Sequence, residues 1–181
     1  MTLAVSIDDF SIEDLGLAQR VLVTTDGTVT EALAAIFLEP IELVKIAIAI
    51  THSDHPLPHL ELKSGSSLMR RQVVLRGSRT STPYAYAQVV IAADRLAPDL
   101  RRELLDGRTP LGELWIRHRV EIFKERPRIR RRPAGEFARY LDLGETETLI
   151  ERTYRAFAGR HPVFLVTEYF PTAYRQPLPE V

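Results

Sequence analysis

The chain of 181 residues contains no cysteine. That excludes a disulfide scaffold, a thiolate metal site and a cysteine nucleophile at once. There is no excess charge of either sign, because 24 basic residues balance 24 acidic ones. No global field is available to draw nucleic acid or an anionic membrane, and neither is expected as a partner. The nine glycines are scattered, so neither spacing of the glycine-rich loops that cradle phosphates or dinucleotides occurs. No Gly-x-Ser-x-Gly elbow is present, and Ser64, Ser66 and Ser67 around Gly65 read as a linker. Long hydrophobic runs are missing too. The most apolar region, residues 33–50, is interrupted by Glu39, Pro40, Glu42 and Lys45 and cannot cross a bilayer. The N-terminus turns acidic at Asp8 and Asp9 without a basic segment or a long apolar one. No export leader is expected, and the cytoplasm is the default location.

What is present is ordinary for a globular chain. Apolar residues make up 45% and charged residues 27%, which argues against intrinsic disorder. The length fits one domain over residues 1–181, large enough to bury a core without staples.

The first forty residues read as helical. Ser11 can cap a turn entered by Glu13 and Asp14, with Leu15, Ala18 and Leu22 on one face. After a break at Asp26 and Gly27, Thr28 and Glu31 have the spacing of a capping box ahead of Leu33, Ala34, Ile36 and Phe37, and Pro40 ends the helix. From Ile41 the period changes to two, with β-branched residues alternating as far as Ile50. Residues 51–58 read as a loop. Strands follow over 68–75 and 84–93, a short amphipathic helix over 96–105, and a helical turn from Thr109 to about Ile116. Alternation returns over 120–132, 148–157 and 163–170, the last two flanking a turn at Gly159 and so forming a hairpin. Helices first and hairpin-linked strands afterwards predict an α+β class, an antiparallel sheet with helices covering one face.

Four features can carry chemistry. His52, His55 and His59 cluster on a proline-containing loop, without helical spacing or a carboxylate-flanked zinc motif, so a solvated loop is expected and no metal. The basic run from Arg126 to Arg132 reads better as a charged edge strand than as a nucleic-acid patch. Arg70 and Arg71 head an apolar strand, so one of them must point inward. Glu168 is a lone carboxylate in a strand of Phe164, Leu165, Val166, Tyr169 and Phe170, where a charge needs a partner or a proton. A buried Arg–Glu pair holding the core and a small pocket with a cation at one end are both open at this point.

The residues then resemble a family, the chorismate pyruvate-lyases (4-hydroxybenzoate synthases), particularly their mycobacterial and actinobacterial branch. The matching blocks are LMRRQVVLRG from Leu68, AADRL ending at Leu96, TPLGE from Thr109, EIFKE from Glu121 and YRAFAGRHPVFLVTEYF from Tyr154, with DGTVTEAL from Asp26 in the N-terminal part. They cover most of the chain in the right order. The resemblance implies an antiparallel sheet with the ligand beneath helical flaps. It also implies a carbon–oxygen lyase that splits chorismate into 4-hydroxybenzoate and pyruvate without metal or organic cofactor. Carried over by position, it assigns Arg71 as the grip on the ring carboxylate. Val29 and Leu111 supply backbone amides to the same group, and Glu168 meets the ring hydroxyl.

Two departures are visible. A second arginine of the proteobacterial enzymes falls at Gln88, and the strand from Val163 to Glu168 looks one residue longer. With Glu168 paired to Thr153 across the hairpin, Arg155 lies diagonally on the same face and is the candidate for the enolpyruvyl carboxylate. Two other functions compete with the lyase. One is a non-catalytic effector-binding domain of the kind found in bacterial regulators, which normally follows a winged DNA-binding module; 181 residues are expected to leave no room for one. The other is a related enzyme giving 3-hydroxybenzoate. A monomer is expected.

Overall fold

Alternation from Ile41 onward folds as a long strand, and the rest of the sheet is built beside it. The structure is a computed structural model that describes residues 6–8 and 11–174. The remaining N-terminal residues, on which the expectation of no leader rests, and the ends of the expected 1–181 domain lie outside the described residues. In chain order the elements are β1 (Ser6–Asp8), α1 (Leu17–Thr24), α2 (Val29–Phe37), β2 (Ile41–His52), β3 (Ser67–Gly77), β4 (Pro83–Ala92), α3 (Pro98–Asp106), α4 (Leu111–Arg117), β5 (Ile122–Lys124), β6 (Arg128–Pro133), α5 (Ala138–Leu141), β7 (Thr148–Ala158) and β8 (His161–Pro171).

The strands form one eight-stranded sheet in the order β1-β6-β7-β8-β4-β3-β2, with β5 also on β7. All of its pairs are antiparallel except β1 with β6. On the face that the helices α1–α4 cover, side chains of one parity make two core clusters. Met69, Val89, Ile91, Phe164 and Val166 pack under α3 and α4, and Leu75, Ile150 and Phe170 pack under α1 and α2. Val74, Tyr86, Leu149 and Tyr169 point to the opposite face, where α5 and the turn before it pack on them. No helix among the described residues is long and apolar enough to cross a membrane.

Three local expectations change. Ser11 caps a separate one-turn 3-10 helix, Ile12–Asp14, closed by Asp14, and α1 starts afresh after Gly16. The strand expected over 120–132 is two strands, because Pro127 cannot donate to a ladder. Residues 125–127 bulge between them while both halves stay on β7. Nor is β6 left at an edge, since Ser6, Ile7 and Asp8 pair with Arg128, Ile129 and Arg130. The forward half of the α2 cap is as predicted, Thr28 Oγ1 accepting from the Glu31 amide at 3.2 Å, whereas the Glu31 carboxylate reaches back to the Thr28 hydroxyl, at 2.6 Å, and not to its backbone amide.

Candidate active site

On β3 the residues facing the helices are Met69, Arg71, Val73 and Leu75, so alternation drives one guanidinium into an apolar layer. Arg71 is only 2% exposed. Its Nη2 donates to the Thr109 carbonyl at 2.6 Å, and its Nε is buried without a partner. It makes no ion pair among the described residues. Desolvation alone pulls its pKa down to about 10. A charge held this way is costly without an anionic partner.

On β8 the corresponding face carries Phe164, Val166, Glu168 and Phe170. Glu168 lies across from Ala87 on β4 and Arg152 on β7. Arg152 Nη1 is 3.1 Å from Glu168 Oε2 and 3.2 Å from the Leu22 carbonyl, while Nη2 donates to the Thr25 carbonyl at 2.5 Å. The guanidinium stacks 5.0 Å from the centroid of Tyr154, whose hydroxyl reaches Glu168 Oε1 at 3.5 Å. Burial pushes the Glu168 carboxyl above the usual carboxylate range, against the pull of Arg152 and Lys124. Burial also raises the Tyr154 phenol, with the Glu168 charge adding to it.

Two helix starts close the space above. Val29 and Leu111 are the first residues of α2 and α4, where amides have no partner inside the helix. They are packed together, because a Cβ on Gly112 would stand 2.9 Å from Thr28 Cβ and closer still to its methyl. Only glycine lets α4 begin against the α2 cap. Lys124, on β5, completes the floor. Its Nζ donates to the carbonyls of Asp26 and Gly27 at 2.5 and 2.9 Å and lies 5.6 Å from the Trp115 centroid.

One cavity therefore collects Arg71, Val29, Leu111 and Glu168, four of the five residues expected from sequence, between apolar walls that include Val73, Val89, Trp115 and Val166. Arg155 is not among them. Thr153 pairs with Thr167, not Glu168, and a one-residue change of register sends a side chain to the other face. There Arg155 is held by Glu125 at 2.7 and 2.8 Å. Gln88 also faces that side, donating to the Tyr86 hydroxyl at 3.0 Å. The residues sequence reasoning missed are Arg152 and Lys124. For Arg152 a signal existed, an arginine sharing its parity with Ile150, Tyr154 and Ala156. For Lys124 the interrupted strand hid it. Among the described residues no three His, Asp or Glu side chains converge as a metal site.

The chain is 28% identical to a chorismate pyruvate-lyase of Mycobacterium leprae over 155 residues, covering 83% of this chain and 72% of that one. It is 26% identical to the chorismate pyruvate-lyase of Mycobacterium tuberculosis over 172 residues, 91% of this chain and 84% of the other. Among solved structures it superposes on PhnF from Mycobacterium smegmatis with a TM-score of 0.66 at 15% identity, covering 82% of this chain. It spans 65% of that protein, less than two thirds. It superposes on the separate effector domain of PhnF with a TM-score of 0.65 at 15% identity, over 80% of this chain and 88% of the domain. At such identity the likeness shows the fold alone. The Rv2949c-like chorismate pyruvate-lyase family model matches residues 23–178, and the chain belongs to that family.

Proposed function

We propose that this protein eliminates pyruvate from chorismate and releases 4-hydroxybenzoate. The observation that carries the reading is Arg71, a buried guanidinium with an unpaired Nε facing an apolar cavity beneath two helix starts. That is a seat for a carboxylate on a ring. Glu168, in the same cavity, takes the hydrogen bond of the ring hydroxyl and fixes which way the ring lies. Family membership supports the same chemistry.

The reaction asks little of the protein. The ether bond breaks with its electron pair on the enolpyruvyl oxygen, and the hydrogen on the hydroxyl-bearing carbon leaves as a proton. The ring becomes aromatic, which drives the step, and the enol takes a proton at its methylene carbon to become pyruvate. No electrons are gained or lost overall. Orientation, exclusion of water and fixed positive charge are enough to help it. The empty cavity measures about 70 Å³, less than the roughly 150 Å³ that admits benzene elsewhere. A ring with one carboxylate and an enolpyruvyl arm that carries a second needs more room than that.

Incubation of the purified protein with chorismate, followed by chromatography, tests the reading. Equimolar 4-hydroxybenzoate and pyruvate are expected, whereas 3-hydroxybenzoate would place the protein in a different activity. The likeness to an effector domain favours a second reading, a binding domain without turnover. Saturable binding of chorismate with no product after prolonged incubation would decide for it.

A further inference from the structure

We propose that Lys124 holds the second carboxylate of the substrate, that of the enolpyruvyl group, and makes the site selective for a dianion over a monoanion. The inference rests on the lyase reading and adds a residue to it. A substrate with two carboxylates needs two cations that nothing else neutralises. Arg71 is one. Arg152 is not the other, because Glu168 pairs with it, two carbonyls occupy its Nη atoms, and it does not line the cavity. Arg155 is on the far face with Glu125.

Lys124 has what is missing. It lines the cavity and makes no ion pair among the described residues. An ammonium has three donors, and the Asp26 and Gly27 carbonyls take two. The third is left for a ligand. Its position also suits a long anion. β3, which carries Arg71, and β7 are separated by β4 and β8, and β5 lies beyond β7. At about 4.8 Å per strand, the two cations start from opposite sides of the cavity and reach inward. As the ether bond breaks, negative charge grows on the oxygen beside the enolpyruvyl carboxylate, so an ammonium there stabilises the departing group.

The aromatic product carries a single carboxylate, which belongs to Arg71, so chorismate and 4-hydroxybenzoate should respond differently to loss of Lys124. The experiment compares wild type, Lys124→Met and Lys124→Arg for turnover of chorismate and for calorimetric binding of chorismate and 4-hydroxybenzoate. We expect Lys124→Met to lower kcat/KM for chorismate at least tenfold while the Kd for 4-hydroxybenzoate changes less than twofold. Lys124→Arg, which keeps a cation, should recover part of the loss and guards against a folding defect in the first variant. Equal weakening of both ligands would show that Lys124 merely props the Asp26–Gly27 turn, and unchanged kcat/KM would show that it does nothing for substrate; either overturns the proposal. A wild type that leaves chorismate intact refutes the lyase reading instead. In that case the binding arm still decides about Lys124, by whether Lys124→Met erases the preference for chorismate over 4-hydroxybenzoate.

Discussion

Arg152 stands directly across the β7–β8 ladder from Glu168, with its Nη1 3.1 Å from the carboxylate, and both side chains are buried. Scaffold and site thus share one pair. The core ion pair and the small cavity with a cation at one end, the two possibilities left open by the sequence, are both present and involve two different arginines. Arg152 neutralises the carboxylate and ties β7 to the end of α1, whereas Arg71 has no acidic partner among the described residues.

Glu168→Gln should therefore affect stability and catalysis together, in ways that can be separated. Breaking a buried ion pair costs about 3–5 kcal/mol, and the loss here should fall short of that, because burial already disfavours the Glu168 charge and Arg152 keeps two carbonyl partners. The sign of the pH dependence follows from burial. The folded-state pKa lies above the ordinary 4.5, so the folded protein binds more protons there, and stability falls as pH rises from 4.5 through the raised value. Turnover needs the carboxylate and should rise over the same window. In Glu168→Gln both slopes should flatten, and product formed per folded molecule should drop at least tenfold. A large loss of stability with turnover per folded molecule unchanged would remove Glu168 from the reaction.

Arg71→Met should behave in the opposite way. The substitution removes a desolvated charge that has no acidic partner and keeps most of the side-chain length, so the unfolding midpoint should hold or rise. Loss of the carboxylate contact should cost about 2–5 kcal/mol, roughly 30- to 5,000-fold in kcat/KM. Thermal unfolding and initial rates on the one variant check both halves. Near wild-type turnover would show that the ring carboxylate sits elsewhere.

The capping hydroxyl of α2, the long strands and the inward turn of one of Arg70 and Arg71 could be read from the sequence because each depends on local spacing. A capping box is a three-residue relation, and alternation sends Arg70 and Arg71 to opposite faces whatever the tertiary fold; the family resemblance named Arg71 as the inward one. Arg155 shows where such reading stops. Which strand residues meet across a hairpin depends on the turn and its irregularities, and the β7–β8 ladder slips between Ala156 and Phe157. Parity on one strand cannot fix the register, and a register taken one step off exchanged Arg152 for Arg155. Lys124 was hidden for a related reason. Its place on the floor depends on the bulge at residues 125–127, a feature of how two short strands share β7. The family resemblance supplied Val29 and Leu111 as ligands, which residue chemistry alone would have left as helix starts.

Acid should unfold the protein partly through Glu39. This side chain is only 4% exposed and accepts hydrogen bonds from the Arg79 and Thr80 amides at 3.0 and 3.2 Å, from Thr80 Oγ1 at 2.8 Å, and from the Tyr84 hydroxyl. Burial raises its pKa, but these donors outweigh burial and bring it to about 2. Stability from the carboxylate is therefore present above the ordinary value of 4.5 and is lost as pH falls from there toward about 2. Glu39→Gln should lower stability near neutrality by about 1–3 kcal/mol and flatten this acid limb. Since Glu39 does not line the cavity, kcat/KM per folded molecule should stay the same. Denaturant unfolding at a series of pH values measures the slope, and an unchanged limb in the variant would assign the acid sensitivity to other groups.

Gly112 tests whether the two helix starts act as one cover. A methyl group there would approach Thr28 Cβ to 2.9 Å, with the Thr28 methyl nearer still, so Gly112→Ala must push α4 away from the α2 cap. Such overpacking costs about 1–3 kcal/mol. The displacement should also move the Leu111 amide relative to Val29, raising KM for chorismate several-fold beyond what the stability loss explains. Thr28→Ser supplies the control, because it keeps the capping hydroxyl and removes the methyl that Gly112→Ala collides with. In the double variant the stability and KM defects should be smaller than the sum of the two single changes, the mark of residues in direct contact. Unfolding midpoints and KM for the four proteins form the cycle. Strict additivity, or a Gly112→Ala protein as tight-binding and stable as wild type, would mean that α2 and α4 cover the cavity independently.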